Sequence, residues 1–345
     1  MLRSLISTLA VAAALAPAHA DETKSFSGAK ALEISDFIGS VEIAASGDKI
    51  MVALTDGEKD FPVIIDQSGD LVTVRGEKPL SKNKISRQIG WRSGNDGLRS
   101  YVAKYPKLKI LVPKGAAVDI DDSFTVVRGG DIDGDLAIDS GYVIADFGDV
   151  KSADISIHSA GDVTLGAVRK ALDLEIHGSG NFAAVSAGET DVEVHGSGDV
   201  RLGDIAGSTS IEIHGSGDFQ ATAIKGDFDA SIHGSGDIET GKIARGADLS
   251  IHGSGDIELA EVNGPTQIQI AGGGDIEVAK GRAEDLDVRI NGSGDFDFGG
   301  VSTNLSAVIS GSGQVSVAKN EGTFDASGDG TVRVGGVVKY RKKHY

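Results

Sequence analysis

Apolar and polar residues alternate in short runs through most of the chain. Leu172, Leu174 and Ile176 are every second residue, as are Thr209, Ile211 and Ile213, and Ala247, Leu249 and Ile251. Glu175 and His177, or Ser250 and His252, occupy the opposite phase. A period of two is the signature of a β-strand with one buried face. A second run follows each first one after a short polar break. Val200 and Leu202, Ile257 and Leu259, and Phe296 and Phe298 lie on its inward side, with Asp199 and Arg201, or Asp256 and Glu258, facing out. A further apolar row runs Val168, Val185, Ile205, Ile224, Ile243 and Val262, often followed by a glycine bend as at Gly207, Gly226 and Gly264.

The polar break is itself a repeat. His-Gly-Ser-Gly-Asp starts at His195, His214, His233 and His252, with variants at His158, His177, Ala271, Asn291 and Ser310. From 158 to 310 there are eight steps over 152 residues, a mean of 19 per step, and weaker copies at Asp139 and Ala326 bring the total to about eleven. A fixed period of this size indicates a stacked repeat, because one unit cannot bury its inward row alone. The fold expected is all-β: a right-handed parallel β-helix (β-solenoid) of about eleven coils over 116–345, with coils spaced by about 4.8 Å and the hand set by strand chirality. The glycines are expected to supply backbone angles that other residues adopt only at a cost.

Residues 21–115 read differently, as an irregular β region. Leu32, Ile34, Val41 and Ile43 alternate as strand; residues 60–65, 71–75 and 107–112 are further strands. Between them, about 77–100, lies a polar stretch expected to be a loop. Ten basic residues against Glu77 and Asp96 give the segment from Arg75 to Lys109 a net charge of +8. It holds the single tryptophan, Trp91, amid Arg87, Arg92 and Arg99. Tryptophan and arginine are the residues most enriched at binding hot spots, so these four are the candidate partner-binding residues.

Runs such as Leu249-Ser-Ile-His-Gly-Ser-Gly-Asp-Ile-Glu-Leu259 and Leu305-Ser-Ala-Val-Ile-Ser-Gly-Ser-Gly-Gln-Val315 resemble the Gly-Ser-Gly-Asp-Ile repeats of GIN-domain proteins, the autotransporter adhesin head family. The resemblance covers roughly 120 to 335, and Asp36-Phe-Ile-Gly-Ser-Val-Glu-Ile43 is similar to the start of related adhesin domains. It implies a parallel β-helix and an adhesin-like role. No C-terminal run of amphipathic strands suits an outer-membrane barrel, so an autotransporter role would need a separate pore.

Composition narrows the function classes. The 345 residues include 49 glycines, 6 prolines and no cysteine, which excludes collagen, disulfides, thiolate metal sites and a cysteine nucleophile. Arg3, the apolar run Leu5 to Leu15 and Ala18-His19-Ala20 make residues 1–20 an expected export signal, cleaved before Asp21. No later stretch is long and apolar enough to span a bilayer. The protein is therefore expected in the periplasm, at the cell surface or secreted. A net charge of −18 disfavours nucleic acid as a partner. The basic stretch instead suits an anionic one: envelope polysaccharide, lipid head groups, or the acidic side of another copy.

Two side-chain columns follow from stacking in register. His158, His177, His195, His214, His233 and His252 form an outward ladder, accompanied by Glu175, Glu193 and Glu212. Imidazoles are common metal ligands, and neighbours about 4.8 Å apart can share a Zn²⁺. The column is equally what duplication of one ancestral repeat leaves behind. Asp162, Asp199, Asp218, Asp237, Asp256, Asp275 and Asp295, with Asn181 in register, form a second ladder. Turn chemistry accounts for it; a calcium role would need a nine-residue period. His, Ser and Asp within one corner do not converge as a catalytic triad must. The chain is thus expected to be a non-enzymatic exported interaction protein without a cofactor. The alternatives are a divalent-metal-binding rod through His177, His195, His214, His233 and His252, and a polysaccharide-active β-helix enzyme.

Overall fold

The computed structural model describes residues 22–55, 57–59, 61–89 and 94–341. The expected export signal, residues 1–20, lies outside them. Two columns of parallel strands run the length of the molecule, as the two alternating rows require, and make a β-solenoid of about eleven turns. One column contains Ala171–Ile176, Glu189–Val194, Thr209–Ile213, Phe228–Ile232 and Ala247–Ile251, each hydrogen-bonded to the next. The other contains Asn181–Ala187, Val200–Ile205, Phe219–Ile224, Ile238–Ile243 and Ile257–Asn263. Like pairs with like down the stack, Ile213 on Ile232 on Ile251, and this inward row is fully buried. One continuous apolar core extends from Ala29 to Val332.

The corners between the columns explain the glycines; the backbone angle is the reason expected only in later corners, where Gly272, Gly292 and Gly311 have positive φ, and not in the central ones. Gly196, Gly198, Gly215, Gly217, Gly234, Gly236, Gly253 and Gly255 all lie outside the positive-φ region. The constraint is space. A Cβ on Gly234 would sit 2.0 Å from the carbonyl oxygen of Gly215 in the preceding coil. That same oxygen accepts the Ser235 N–H at 2.9 Å. Glycine is required because one backbone lies directly on another.

At the N-terminal end the chain is threaded differently. Strand β1 is Glu22–Ser27, β2 Ala31–Ser35, β3 Ile38–Ala45, β4 Lys49–Thr55, β5 Val63–Ser68 and β6 Leu71–Gly76. Two short helices follow, α1 Lys82–Ile89 and α2 Gly94–Val102, then β7 Lys107–Val112, β8 Ala117–Asp121 and β9 Phe124–Gly129. β2 lies between β6 and β8, and β3 between β7 and β9, all in parallel. The core therefore runs through residue 115 without a break. β4 is antiparallel to β7, β1 to β4, and β5 to β6, closing this end with edges of opposite direction. At the far end, Thr331–Val334 and Val337–Arg341 form a hairpin around Gly335 and Gly336, both with positive φ.

The polar stretch expected as a loop is thus helical over much of its length. α1 and α2 are too short to be stable alone. They are held by a second, smaller core in which Ile85, Ile89, Leu98 and Val102 cover Ile38, Phe124 and Ile144 on the outside of the first turns. Asp36 Oδ1 accepts the Leu80 N–H at 2.8 Å, and the Asn95 side-chain amide donates to Asp162, the first member of the Asp ladder.

Candidate functional site

The His column forms as the register demands. Centroids of the rings of His158, His177, His195 and His214 are 5.4, 4.9 and 4.8 Å apart and their planes are nearly parallel. From His214 to His233 and from His233 to His252 the spacing is 4.9 Å but the rings are edge to face. The change of orientation coincides with a change of partner. His177, His195 and His214 hold Glu175, Glu193 and Glu212 through Nε2 at 2.7, 2.5 and 2.8 Å. Beyond them the register-equivalent residues are Ser231 and Ser250, and His252 Nδ1 lies 3.2 Å from Ser250 Oγ. Burial, then the charges of His214 and His252, holds His233 below the usual histidine range. Three overlapping groups place their ligand atoms within 4.8 Å of one another: Glu175–His177–His195, Glu193–His195–His214 and Glu212–His214–His233.

The Asp ladder stitches coils together. Asp199 Oδ1 accepts the Asp218 N–H at 3.3 Å, Asp218 Oδ1 that of Asp237 at 3.0 Å, and Asp237 Oδ1 that of Asp256 at 2.9 Å. The series continues through Asp275 and Asp295 to the Gln314 N–H. Asn181 joins it because its Oδ1 accepts equally well, taking the Asp199 N–H at 3.0 Å. These carboxylates satisfy backbone donors at a corner, which is the turn chemistry expected of them.

A second acidic ladder lies two residues before the Glu–His pairs. Asp154, Asp173 and Asp191 pair in register, as do Asp229 and Asp248, with Ser210 between the two groups. Its signal was present in Asp173-Leu-Glu-Ile-His177 and Asp191-Val-Glu-Val-His195, where three alternate outward positions are all polar. Burial and the repulsion of Asp154 and Asp191 push the Asp173 carboxyl above the usual range. Burial and Asp248 do the same at Asp229. A groove of about 580 Å³ runs beside this ladder, lined by Asp173, Glu189, Asp191, Asp227, Asp229 and Asp248. Asp173, Asp191, Asp229 and Asp248 stand in one register column, and Glu189 and Asp227 line the groove outside it.

The basic stretch presents its charge from the helical pair. Arg87 in α1 and Arg99 in α2 are both exposed, as are Lys84 and Lys104. Trp91 and Arg92 lie outside the described residues. Tyr101 Oη donates to Gln88 Oε1 at 2.9 Å and lies 3.0 Å from Tyr105 Oη, tying α2 to α1 and to the turn that follows. The pattern that could have revealed the helices is the pairing of Ile85 with Ile89 and of Leu98 with Val102, each four residues apart.

The chain is similar to two crystal structures, of a "putative adhesin" from Bacteroides fragilis NCTC 9343 and of another from Parabacteroides distasonis ATCC 8503. Identity is 12% in both, with 91% of this chain and 96% of the other covered, at TM-scores of 0.29 and 0.31. No curated protein matches the sequence. A family model, "Putative auto-transporter adhesin, head GIN domain", matches residues 107–242 and 241–337, about two thirds of the chain. The stacked coils that carry the His, Glu and Asp ladders are the part it covers, and the chain belongs to the GIN-domain family.

Proposed function

We propose that this is an exported, adhesin-like interaction protein of the cell envelope, acting without catalysis, and that it engages an anionic envelope surface through its basic helical pair. Membership in an adhesin head family supports the exported, adhesin-like role. The observation that carries the choice of surface is the docking of α1 and α2. A second apolar core holds them on the outside of the first turns while Arg87 and Arg99 stay exposed. A strongly acidic rod thereby offers clustered positive charge at one end. Such a patch attracts phosphate or carboxylate groups over about one Debye length, roughly 8 Å at physiological salt. Polysaccharide and lipid head groups of the envelope carry such groups. Trp91 and Arg92 complete the proposed patch by sequence position. The rod itself sets the reach and rigidity with which that end is presented.

The test is binding to purified envelope fractions by the wild type and by a variant with Arg87, Trp91, Arg92 and Arg99 changed to Ala. A loss of tenfold or more that weakens further with salt is expected. Unchanged binding by the folded variant would place the binding surface elsewhere. Concentration-dependent self-association, lost in the variant, would make the partner a second copy.

A further inference from the structure

We propose that the central His column binds divalent transition-metal ions of the zinc class, two per chain, at Glu175–His177–His195 and Glu212–His214–His233. The backbone under these residues is fixed. The N–H groups of His195, His214 and His233 each donate at 2.7 Å to Ile176, Val194 and Ile213 in the coil before. Glu175, Glu193 and Glu212 face one another down the stack in register. Each group therefore offers one carboxylate and two imidazoles from two adjacent coils, with ligand atoms no more than 4.8 Å apart. A zinc ion with bonds of about 2.0–2.2 Å to nitrogen and oxygen draws such atoms together by side-chain rotation alone. The side chains of His195 and His214 are 32% exposed, so the rings have room to turn and the fourth position is open to water. Two imidazoles and one carboxylate select zinc, copper or nickel over calcium and magnesium, which prefer all-oxygen sets.

The limits of the site are written in the column two residues before the histidines. It reads Ser156, Glu175, Glu193, Glu212, Ser231 and Ser250. Only the three Glu-bearing coils supply a carboxylate from this column; the His158 ring is held instead by Asp139 at 2.7 Å, and neither His158 nor His252 belongs to a group of three. The three groups cannot all fill at once. The middle one shares His195 with the first and His214 with the third, whereas the outer two share no ligand. Ions in adjacent coils would also sit only about 5 Å apart, against about 10 Å when one coil is skipped. Occupation of the outer pair alone satisfies both constraints.

Zinc titration of the purified protein in chelator-free buffer, followed by calorimetry, tests this. The wild type is expected to take two ions per chain at micromolar free zinc, with excess calcium or magnesium unable to displace them. Glu193→Gln should still take two, because it removes only the middle group. His195→Gln and His214→Gln should each take one, and the double variant none, while His252→Gln stays at two. All these side chains point outward, so circular dichroism should report the same fold in every variant. No uptake by the wild type, a stoichiometry other than two, or uptake that survives in the double variant would overturn the proposal.

Discussion

The corner glycines show at single-residue scale what holds the coils at their spacing. In the Gly-Ser-Gly corner the first glycine has a carbonyl oxygen against its Cα, and the serine that follows donates to that same oxygen. Gly234→Ala would place a methyl 2.0 Å from Gly215 O, so the coil must separate or the bond must break. We expect it to destabilise the protein by about 2 kcal/mol or more, in the range of backbone clashes and buried unmade hydrogen bonds. Gly273 occupies the serine position of its own corner, and its nearest outside atom is Ser293 Oγ at 3.6 Å. Gly273→Ala should therefore stay within about 0.5 kcal/mol of the wild type. Denaturant melts of the two variants check this; equal midpoints would mean that the corners are not in close contact.

At the scale of elements, the helical pair and the solenoid are stabilised separately. α1 and α2 rest on a small cluster centred on Leu98, Val102 and Phe124, each 1% exposed, whereas the solenoid has its own continuous core. Leu98→Ala should remove about 3 kcal/mol from the docking of the helices. Because local openings draw only on the contacts they break, hydrogen exchange should quicken across α1 and α2 and stay slow in strands such as Ala247–Ile251. Uniform loss of protection along the chain would show that the two cores melt as one unit.

For the whole molecule, charge is distributed by ladders, and stability depends on pH accordingly. Burial raises the carboxyl groups of Asp119, Asp173 and Asp229, reinforced by neighbouring carboxylates. A carboxyl raised in the folded state binds its proton more tightly there than in the unfolded chain. Its charged form is therefore a penalty at neutral pH that disappears as pH falls through the folded value. Glu261 and Glu321 have the opposite sign. Hydrogen bonds from Asn263, Lys242 and Lys280 hold Glu261 at about 2, and Lys319 and Arg282 hold Glu321 at about 2. Their contribution is present above the usual value of 4.5 and is lost as pH drops toward 2. Asp229→Asn should stabilise the fold at neutral pH and so raise Tm, with a free-energy gain of less than about 1 kcal/mol because the side chain is partly exposed. That gain should shrink on mild acidification and in high salt. Thermal melts of the variant against wild type decide it; a gain independent of pH and salt would assign the effect to packing.

Strand phase, coil period and most of the inward rows were legible in the sequence by itself, because each follows from a local regularity repeated many times; Val185, expected in the row of Ile205, is instead 59% exposed, and Ala187 takes that place beside Ile205. Ile251 is buried and His252 exposed, as alternation alone requires. The His ladder was legible too, since parallel stacking at a constant period must place equal residues beside one another. What the tertiary structure decided concerns contacts between segments that do not share the period. Helices α1 and α2 form because the first turns offer Ile38, Phe124 and Ile144 as an outer apolar patch, which no local propensity records. The threading of β2 between β6 and β8 depends on which edges remain open, not on the strands' own patterns. The demand for glycine comes from a carbonyl group 19 residues back, brought within 2.0 Å of the added carbon only by stacking. Which histidine rings stack and which turn edge to face likewise depends on side-chain geometry across coils rather than on the repeat itself.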